Sequence, residues 1–242
     1  MENLNSLKHL EWDSTFFARK IGSITFIDNV VDSVLRRELK KGISENYDLI
    51  YVFSYKSEIT ESTLETYSGE FVDTKVSFSK DLEIEQNPLL DSIQMYNRKE
   101  VPEDLKKLAL LAGKYSRFKN KKYFTYEQFE KLYAIWLEKS ISKEIADAVF
   151  IYEEVGEILG FVTVRIKNKR GFIGLISVND GYQKKGIGRL LIKKVSNYLK
   201  EHGIIELVVS TQNENSKAVK FYLGNNLTIS SKVKVYHFSL RE

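Results

Sequence analysis

The sequence contains no cysteine, and that absence removes disulfides, thiolate zinc sites, iron–sulfur clusters and cysteine nucleophiles together. Three histidines remain as soft ligands, His9, His202 and His237, so no metal centre is expected. No apolar run approaches the roughly 18 residues that a membrane span requires. The first residues, MENLNSLKHLEWD, lack a basic start followed by an apolar stretch. A soluble cytoplasmic protein with no membrane partner is the expectation. A strong excess of one charge is also missing: 37 basic and 33 acidic residues leave +4. That balance suits an anionic small molecule and lacks the dense basic stripe of nucleic-acid binders. What is present is ordinary: 43% hydrophobic, 29% charged and 12% aromatic residues. Such a composition excludes overall disorder and supplies one large core or two small ones.

Proline is nearly absent as well, and Pro88 and Pro102 bracket a polar stretch with Glu83, Glu85, Gln86, Asn87 and Asp91 in or beside it. This reads as a connector. Before it, IGSITFID, DLIYVFSY and FVDTKVSFS have the β-branched and aromatic content of strands, and SVLRRELKKGISENY has helical spacing. A small α/β domain over 1–100 follows, too short for a fully independent core. After it, EDLKKLALLAGKYSRF begins as an amphipathic helix that frays near Gly113. YEQFEKLYAIWLEKSI sets Phe129, Leu132, Tyr133, Trp136 and Leu137 on one helical face. VFIYEEVGEILGFVTVRI reads as two strands turning at Val155–Gly156, and NKRG turns the chain into GFIGLISV, an antiparallel meander. Next come a helix with Ile187, Leu190, Leu191, Val195, Tyr198 and Leu199 on one side, a buried strand IIELVVST, a short helix NSKAVKFYLG and a last strand KVKVYHFSL. Residues 101–242 form the second expected domain.

The most informative segment is ISVNDGYQKKGIGRLL, an apolar strand, a turn, a glycine-rich loop and a helix start. The first amides of a helix have no internal acceptor and sit at its positive end, so such a junction can hold an anion. Gly186 and Gly188 let a phosphate approach the backbone, and Gln183, Lys184 and Lys185 add donors. The plain alternative is a helix start whose glycines only permit a turn.

Gln183-Lys184-Lys185-Gly186-Ile187-Gly188 resembles the pyrophosphate loop (Q/R)-x-x-G-x-(G/A) of the GCN5-related N-acetyltransferases, the GNAT family. The meander before it and the strand and short helix after it, with Asn215 and Tyr222, extend the resemblance over about 148–240. The resemblance implies an α/β (α+β) fold with a mixed, mostly antiparallel central sheet flanked by helices. It implies acyl-CoA as co-substrate, with 183–188 and Arg189 at its pyrophosphate and the backbone of Ile176, Ser177 and Val178 along the pantetheine and thioester. It further implies that Asn215 bonds the pantetheine arm and Tyr222 donates to the departing thiolate. A phenol, neutral at pH 7, suits that task. On the residues alone Asn215 is a helix cap and Tyr222 a core aromatic. His237 is a candidate to accept the amine proton through water, and equally a structural histidine on an alternating strand.

LEWDSTFFARKIG, LAGKYSRFKN and LYAIWLEKS are similar to the nucleotide-sugar N-acyltransferases within the family, which acylate dTDP-linked amino-deoxysugars. Two departures stand out: Ala18 replaces the usual glycine after Phe16-Phe17, and Asn226-Leu227 replaces a Gly-Phe pair. This resemblance implies a sugar-nucleotide site with Trp12, Asp13 and Phe17 stacking on a base or holding a hydroxyl. Tyr115, Ser116 and Arg117 would meet the diphosphate. The plain alternatives are core aromatics with a turn at Asp13-Ser14, and a solvated helix end. The expected product belongs to a bacterial lipopolysaccharide, O-antigen or capsule, and the expected enzyme is a homodimer using acetyl-CoA or 3-hydroxybutyryl-CoA. Gly174 and Ser177, being small, leave room for the longer acyl chain. Two rivals stay open: a GNAT enzyme for a free small amine or a protein amine, and a non-catalytic CoA-binding sensor or scaffold.

Overall fold

The computed structural model describes residues 5–82 and 91–241, so Glu83, Glu85, Gln86, Asn87 and Pro88 of the expected connector lie outside the described residues. In chain order the elements are β1 (Lys8–His9), α1 (Glu11–Phe17), β2 (Ile21–Phe26), α2 (Asp32–Ser44), β3 (Leu49–Ser54), α3 (Glu61–Thr66) and β4 (Gly69–Asp81). They continue with β5 (Ile93–Met95), α4 (Glu103–Ala112), α5 (Tyr126–Ile141), β6 (Ala148–Glu154), β7 (Glu157–Lys167) and β8 (Arg170–Val178). The last are α6 (Ile187–Glu201), β9 (Glu206–Gln212), α7 (Ser216–Leu223) and β10 (Thr228–Ser239). No helix among the described residues is long and apolar enough to cross a membrane.

The chain divides into two units: residues up to Val76 with Gln212–Glu214 and those from Ser231 onward, and Ser77–Thr211 with Asn215–Ser230. The expected boundary lies at 100/101, whereas here 77–100 group with the second unit and 231–242 with the first. The reason is strand pairing. Lys234–Ser239 of β10 run antiparallel to β3, with Tyr51 opposite His237, so the C-terminal strand completes the N-terminal sheet.

In the first unit β2 and β3 are parallel over six matched pairs, from Ile21↔Leu49 to Phe26↔Ser54, and β1 flanks β2. Leu35 and Leu39 of α2 pack on Ile24, Phe26, Ile50, Val52 and Phe238 in one buried cluster. The carboxylate of Asp32 joins α2 to α3, accepting from Thr60 Oγ1 at 2.9 Å, from Thr63 Oγ1 and from Arg36 Nε at 2.6 Å. The turn at Asp13-Ser14 of the plain alternative is instead α1, which ends on Ala18 with φ 51° and ψ 41°. A seven-residue helix is too short to show a periodicity.

In the second unit β5, β6, β7 and β8 form an antiparallel run and β9 joins β8 in parallel. Strand β5 lies within the expected connector; three residues bounded by polar neighbours carry little strand signal. Val155–Gly156 (φ 52° and 81°) and Asn168–Lys169 (φ 52° and 61°) have positive φ at both central positions, as two-residue hairpin turns require. Val149 and Ile151 of β6 face α4 and α5, while Phe150 packs its ring on Tyr198 of α6. Alternation along the strands thus puts α4 and α5 on one side of this sheet and α6 on the other. Trp136 of α5 lies between Phe118 and Tyr133, with ring centroids 5.9 and 5.0 Å away.

Candidate functional site

Strand β8 is irregular on both edges. Against β7 the register runs Val162↔Ile176 and Val164↔Ile173, so Gly174 and Leu175 together oppose Thr163 alone, a β-bulge. The Leu175 amide donates to Thr163 Oγ1 at 2.9 Å. Against β9 the pairing stops at Ile173↔Val209, although β8 continues to Val178 and β9 to Gln212. The two strands part there. By the alternation of an antiparallel ladder, the backbone groups of Ile176 and Val178 face the side of β8 that β9 has left, while those of Ser177 face β7.

The bulge also changes which way side chains point. A Cβ on Gly171 would meet Leu199 of α6, yet Leu175 packs in the α4 cluster and Ser177 Oγ donates to Leu108 O of α4 at 2.6 Å. Residues of one parity therefore face α6 before the bulge and α4 after it, as a one-residue slip demands. Gly174 is exposed and Ser177 half-buried. A Cβ on Gly174 would stand 2.9 Å from Thr163 Oγ1, and the Ser177 hydroxyl is turned onto α4.

After β8, Asn179 Oδ1 accepts from Gly181 N at 3.0 Å and starts a short 3-10 turn over Asp180–Tyr182. Gln183 Nε2 donates to Val178 O at 3.2 Å and to Asp180 Oδ1 at 2.8 Å. Gln183 therefore braces the loop, rather than offering that nitrogen outward as expected. Lys184 has φ 63° and Gly186 has φ 89°, and Gly186 caps α6 with no side-chain hydrogen bond. The first amides of α6 are thus left without a side-chain acceptor, and nothing lies within 4 Å of where a Cβ on Gly186 would be. Gly188 serves a different purpose from the expected phosphate approach: a Cβ there would stand 3.1 Å from the Phe221 ring, so the glycine lets α6 approach α7. Ile187 is buried, Arg189 is exposed, and Lys185 Nζ lies 4.3 Å from the centroid of the Tyr182 ring.

Asn215 is the cap of α7. Its Oδ1 accepts from Ala218 N at 3.1 Å and its Nδ2 donates to Thr211 Oγ1 at 3.3 Å, so the carboxamide is engaged locally. Tyr222 is 4% exposed, with Phe78 and Phe221 ring centroids at 5.3 and 5.4 Å. Burial pushes its phenol well above the ordinary value of 10. Such a group stays protonated and donates a hydrogen bond, but full transfer of its proton to a thiolate with pKa near 8.5 is uphill.

The acetyltransferase (GNAT) family model matches residues 114–224, a span that holds the bulge, the parted strands, the loop, α6 and α7. This region is similar to a GNAT domain. Streptothricin acetyltransferase A of Bacillus subtilis is 30% identical over 114 residues, 45% of this chain and 66% of that protein. An uncharacterized N-acetyltransferase of Methanocaldococcus jannaschii is 33% identical over 112 residues, 40% of this chain and 49% of that protein. The chain spans between about half and two thirds of these curated relatives. A GCN5-related N-acetyltransferase from Sphaerobacter thermophilus superposes with a TM-score of 0.53 over 92% of this chain and 74% of its own, at 14% identity. That likeness shows the shared fold alone, and the fold is the GNAT mixed sheet flanked by helices.

All the residues expected at the acyl donor, Ile176 to Val178, Gln183 to Arg189, Asn215 and Tyr222, fall in the second unit. So do Tyr115, Ser116 and Arg117. Tyr115 is 38% exposed, whereas Ser116 is buried. Ser116 Oγ accepts from Phe118 N at 3.2 Å and shares a hydrogen bond with the Tyr133 hydroxyl, so this serine shapes the turn and does not face outward as expected. The Arg117 guanidinium lies 4.6 Å from the Phe118 ring centroid. Trp12, Asp13, Phe17 and His237 belong to the first unit. Trp12 is 41% exposed and stacked on Phe16 at 5.0 Å and 8°, while Phe17 is buried in the core. His237, the candidate base, is fully buried on β10 with its ring 4.8 Å from that of Tyr51, a packing position. Sequence reading missed Thr163, a buried hydroxyl between Val162 and Val164. The available signal was the hydroxyl itself, since a polar group in an apolar run must bond something.

Proposed function

We propose that the protein is an acyl-CoA-dependent N-acyltransferase whose acceptor is the amine of a nucleotide-linked amino-deoxysugar, used for bacterial surface polysaccharide. The observation that carries the transferase reading is the parting of β8 from β9 beyond Ile173, next to a helix start with uncapped amides. A pyrophosphate fits the amides of α6. The amide-rich pantetheine arm fits the edge of β8 at 176–178, where it takes the place of the missing strand. In the reaction the neutral amine forms a C–N bond to the thioester carbon, the C–S bond breaks, and water accepts the proton from nitrogen. Tyr222 donates a hydrogen bond to the sulfur as negative charge grows on it. Sugar amines are only moderately basic, so a useful fraction is neutral near pH 8 without a dedicated side-chain base.

The sugar-nucleotide part of the reading is supported by the exposed Tyr115 and the half-buried Arg117, set before Lys119, Lys121 and Lys122. A second reading, acetylation of a free small amine, is favoured by the 30% identity to streptothricin acetyltransferase A. One assay separates them: thiol release from acetyl-CoA and 3-hydroxybutyryl-CoA against dTDP- and UDP-linked 3-amino and 4-amino deoxyhexoses, with streptothricin alongside. Release that depends on one amino sugar is expected. Release with streptothricin alone selects the second reading, and silence throughout in a protein that binds CoA overturns both.

A further inference from the structure

We infer that Thr163 is a positioning residue for acyl-CoA, holding the bulge that orients the free edge of β8; the inference rests on the acyltransferase reading above. In a regular antiparallel ladder each inward amide finds a backbone carbonyl on the neighbouring strand. At the bulge Gly174 and Leu175 share a single partner residue, and the Leu175 amide is satisfied by a side chain, Thr163 Oγ1 at 2.9 Å. Thr163 is 2% exposed, so water does not substitute for that acceptor.

Two further features accompany the bend. Gly174 leaves the hydroxyl the volume that a Cβ would occupy at 2.9 Å, and β8 beyond the bulge is tied to α4 through Ser177 Oγ and Leu108 O at 2.6 Å. The consequence is a reversal of faces. With the hydroxyl in place, Ser177 faces α4 and Val178 lies toward the start of α6, within 3.8 Å of a Cβ on Gly188. Without the slip, Ser177 would face α6 and the amides of 176–178 would turn by one residue relative to the space that β9 vacates. At the other end of β8, Arg170 and Glu206 form a paired contact, Nε to Oε2 at 2.6 Å and Nη2 to Oε1 at 2.7 Å, which fastens β8 to β9 where they still run together. The opening is thus pinned at its base by an ion pair and set at its bend by one hydroxyl.

The test measures CoA binding by calorimetry before any turnover. Thr163→Val keeps the shape and removes the acceptor. It is expected to weaken CoA binding by about tenfold and to speed hydrogen exchange at Leu175, while Thr163→Ser stays within about threefold of the parent. Gly174→Ala pushes on the hydroxyl from the opposite strand and is expected to weaken CoA binding in the same way. It serves as the deciding variant if Thr163→Val does not fold. Unchanged CoA affinity in the folded Thr163→Val or Gly174→Ala protein overturns the inference, and so does a lowered Tm with no change in affinity. Absence of CoA binding by the unaltered protein overturns the acyltransferase reading itself, a failure visible before any variant is made.

Discussion

The two units make opposite use of parallel strand pairing. In the first, β2 and β3 stay matched through six consecutive pairs and the ladder closes on a dry cluster of Ile24, Phe26, Val52 and Phe238. In the second, β8 and β9 are matched at three pairs and then separate, with a bulge on the other edge of β8. Unmade backbone hydrogen bonds are costly when buried. An edge left open beside a helix start with uncapped amides has donors and acceptors that a ligand can meet, whereas β2 and β3 spend theirs on each other along their shared edge.

Substitutions around the parted strands should therefore move CoA binding or turnover, and those at Asp32 and Ala18 in the first unit should move stability alone. The largest effect expected is from Tyr222→Phe: turnover should fall by about a hundredfold with CoA affinity intact, measured by thiol release and calorimetry. Unchanged turnover would remove Tyr222 from the mechanism. Gly186→Ala forces a side chain into a left-handed conformation, which costs about 1–2 kcal/mol. Relaxing the loop to avoid that cost should weaken CoA binding about tenfold; an unchanged affinity would show that the loop amides do not meet the pyrophosphate.

In the first unit, the hydrogen bonds from Thr63, Arg36 and Thr60 hold the Asp32 carboxyl below its ordinary value of 3.8. A lowered folded pKa contributes stability that is present above the unfolded value and lost as pH falls through the folded one. Asp32→Asn should therefore lower Tm at pH 7 and reduce the drop between pH 5 and pH 3, as followed by circular dichroism. The carboxyl is 38% exposed, so the effect is held to about 1 kcal/mol or less. The smallest change is a gain. Ala18→Gly relieves the left-handed residue after α1 by up to about 1 kcal/mol, raising Tm with no effect on CoA affinity. A change in affinity from either first-unit variant would break the comparison.

Much of this division can be read from residue order, and some of it cannot. Helices α5 and α6 are legible because apolar residues recur at three and four over some fifteen positions, and the hairpin turns are legible from their short polar breaks. The helix start after β8 is legible from its glycines. The short elements β1, α1, α3 and β5 hold two to seven residues and complete too few periods to register. Register between strands is a property of two segments at once, so the alternation in β10 is visible while its partnership with β3 is not. The bulge is hidden for the same reason, since Thr163 and Gly174 explain each other only when opposed. The local use of Gln183 and Asn215 is also invisible in sequence, because an amide side chain suits a ligand and a loop carbonyl equally well.

The stacked indole of Trp12 has a practical consequence. The chain has two tryptophans, one in each unit, and their surroundings differ: Trp12 is exposed on Phe16, and Trp136 is held between Phe118 and Tyr133. With Trp136 replaced by Phe the remaining fluorescence reports on the first unit alone, and with Trp12 replaced it reports on the second. The pair of single-tryptophan variants thus gives a separate optical readout for each half, by which the melting of the two units can be followed independently.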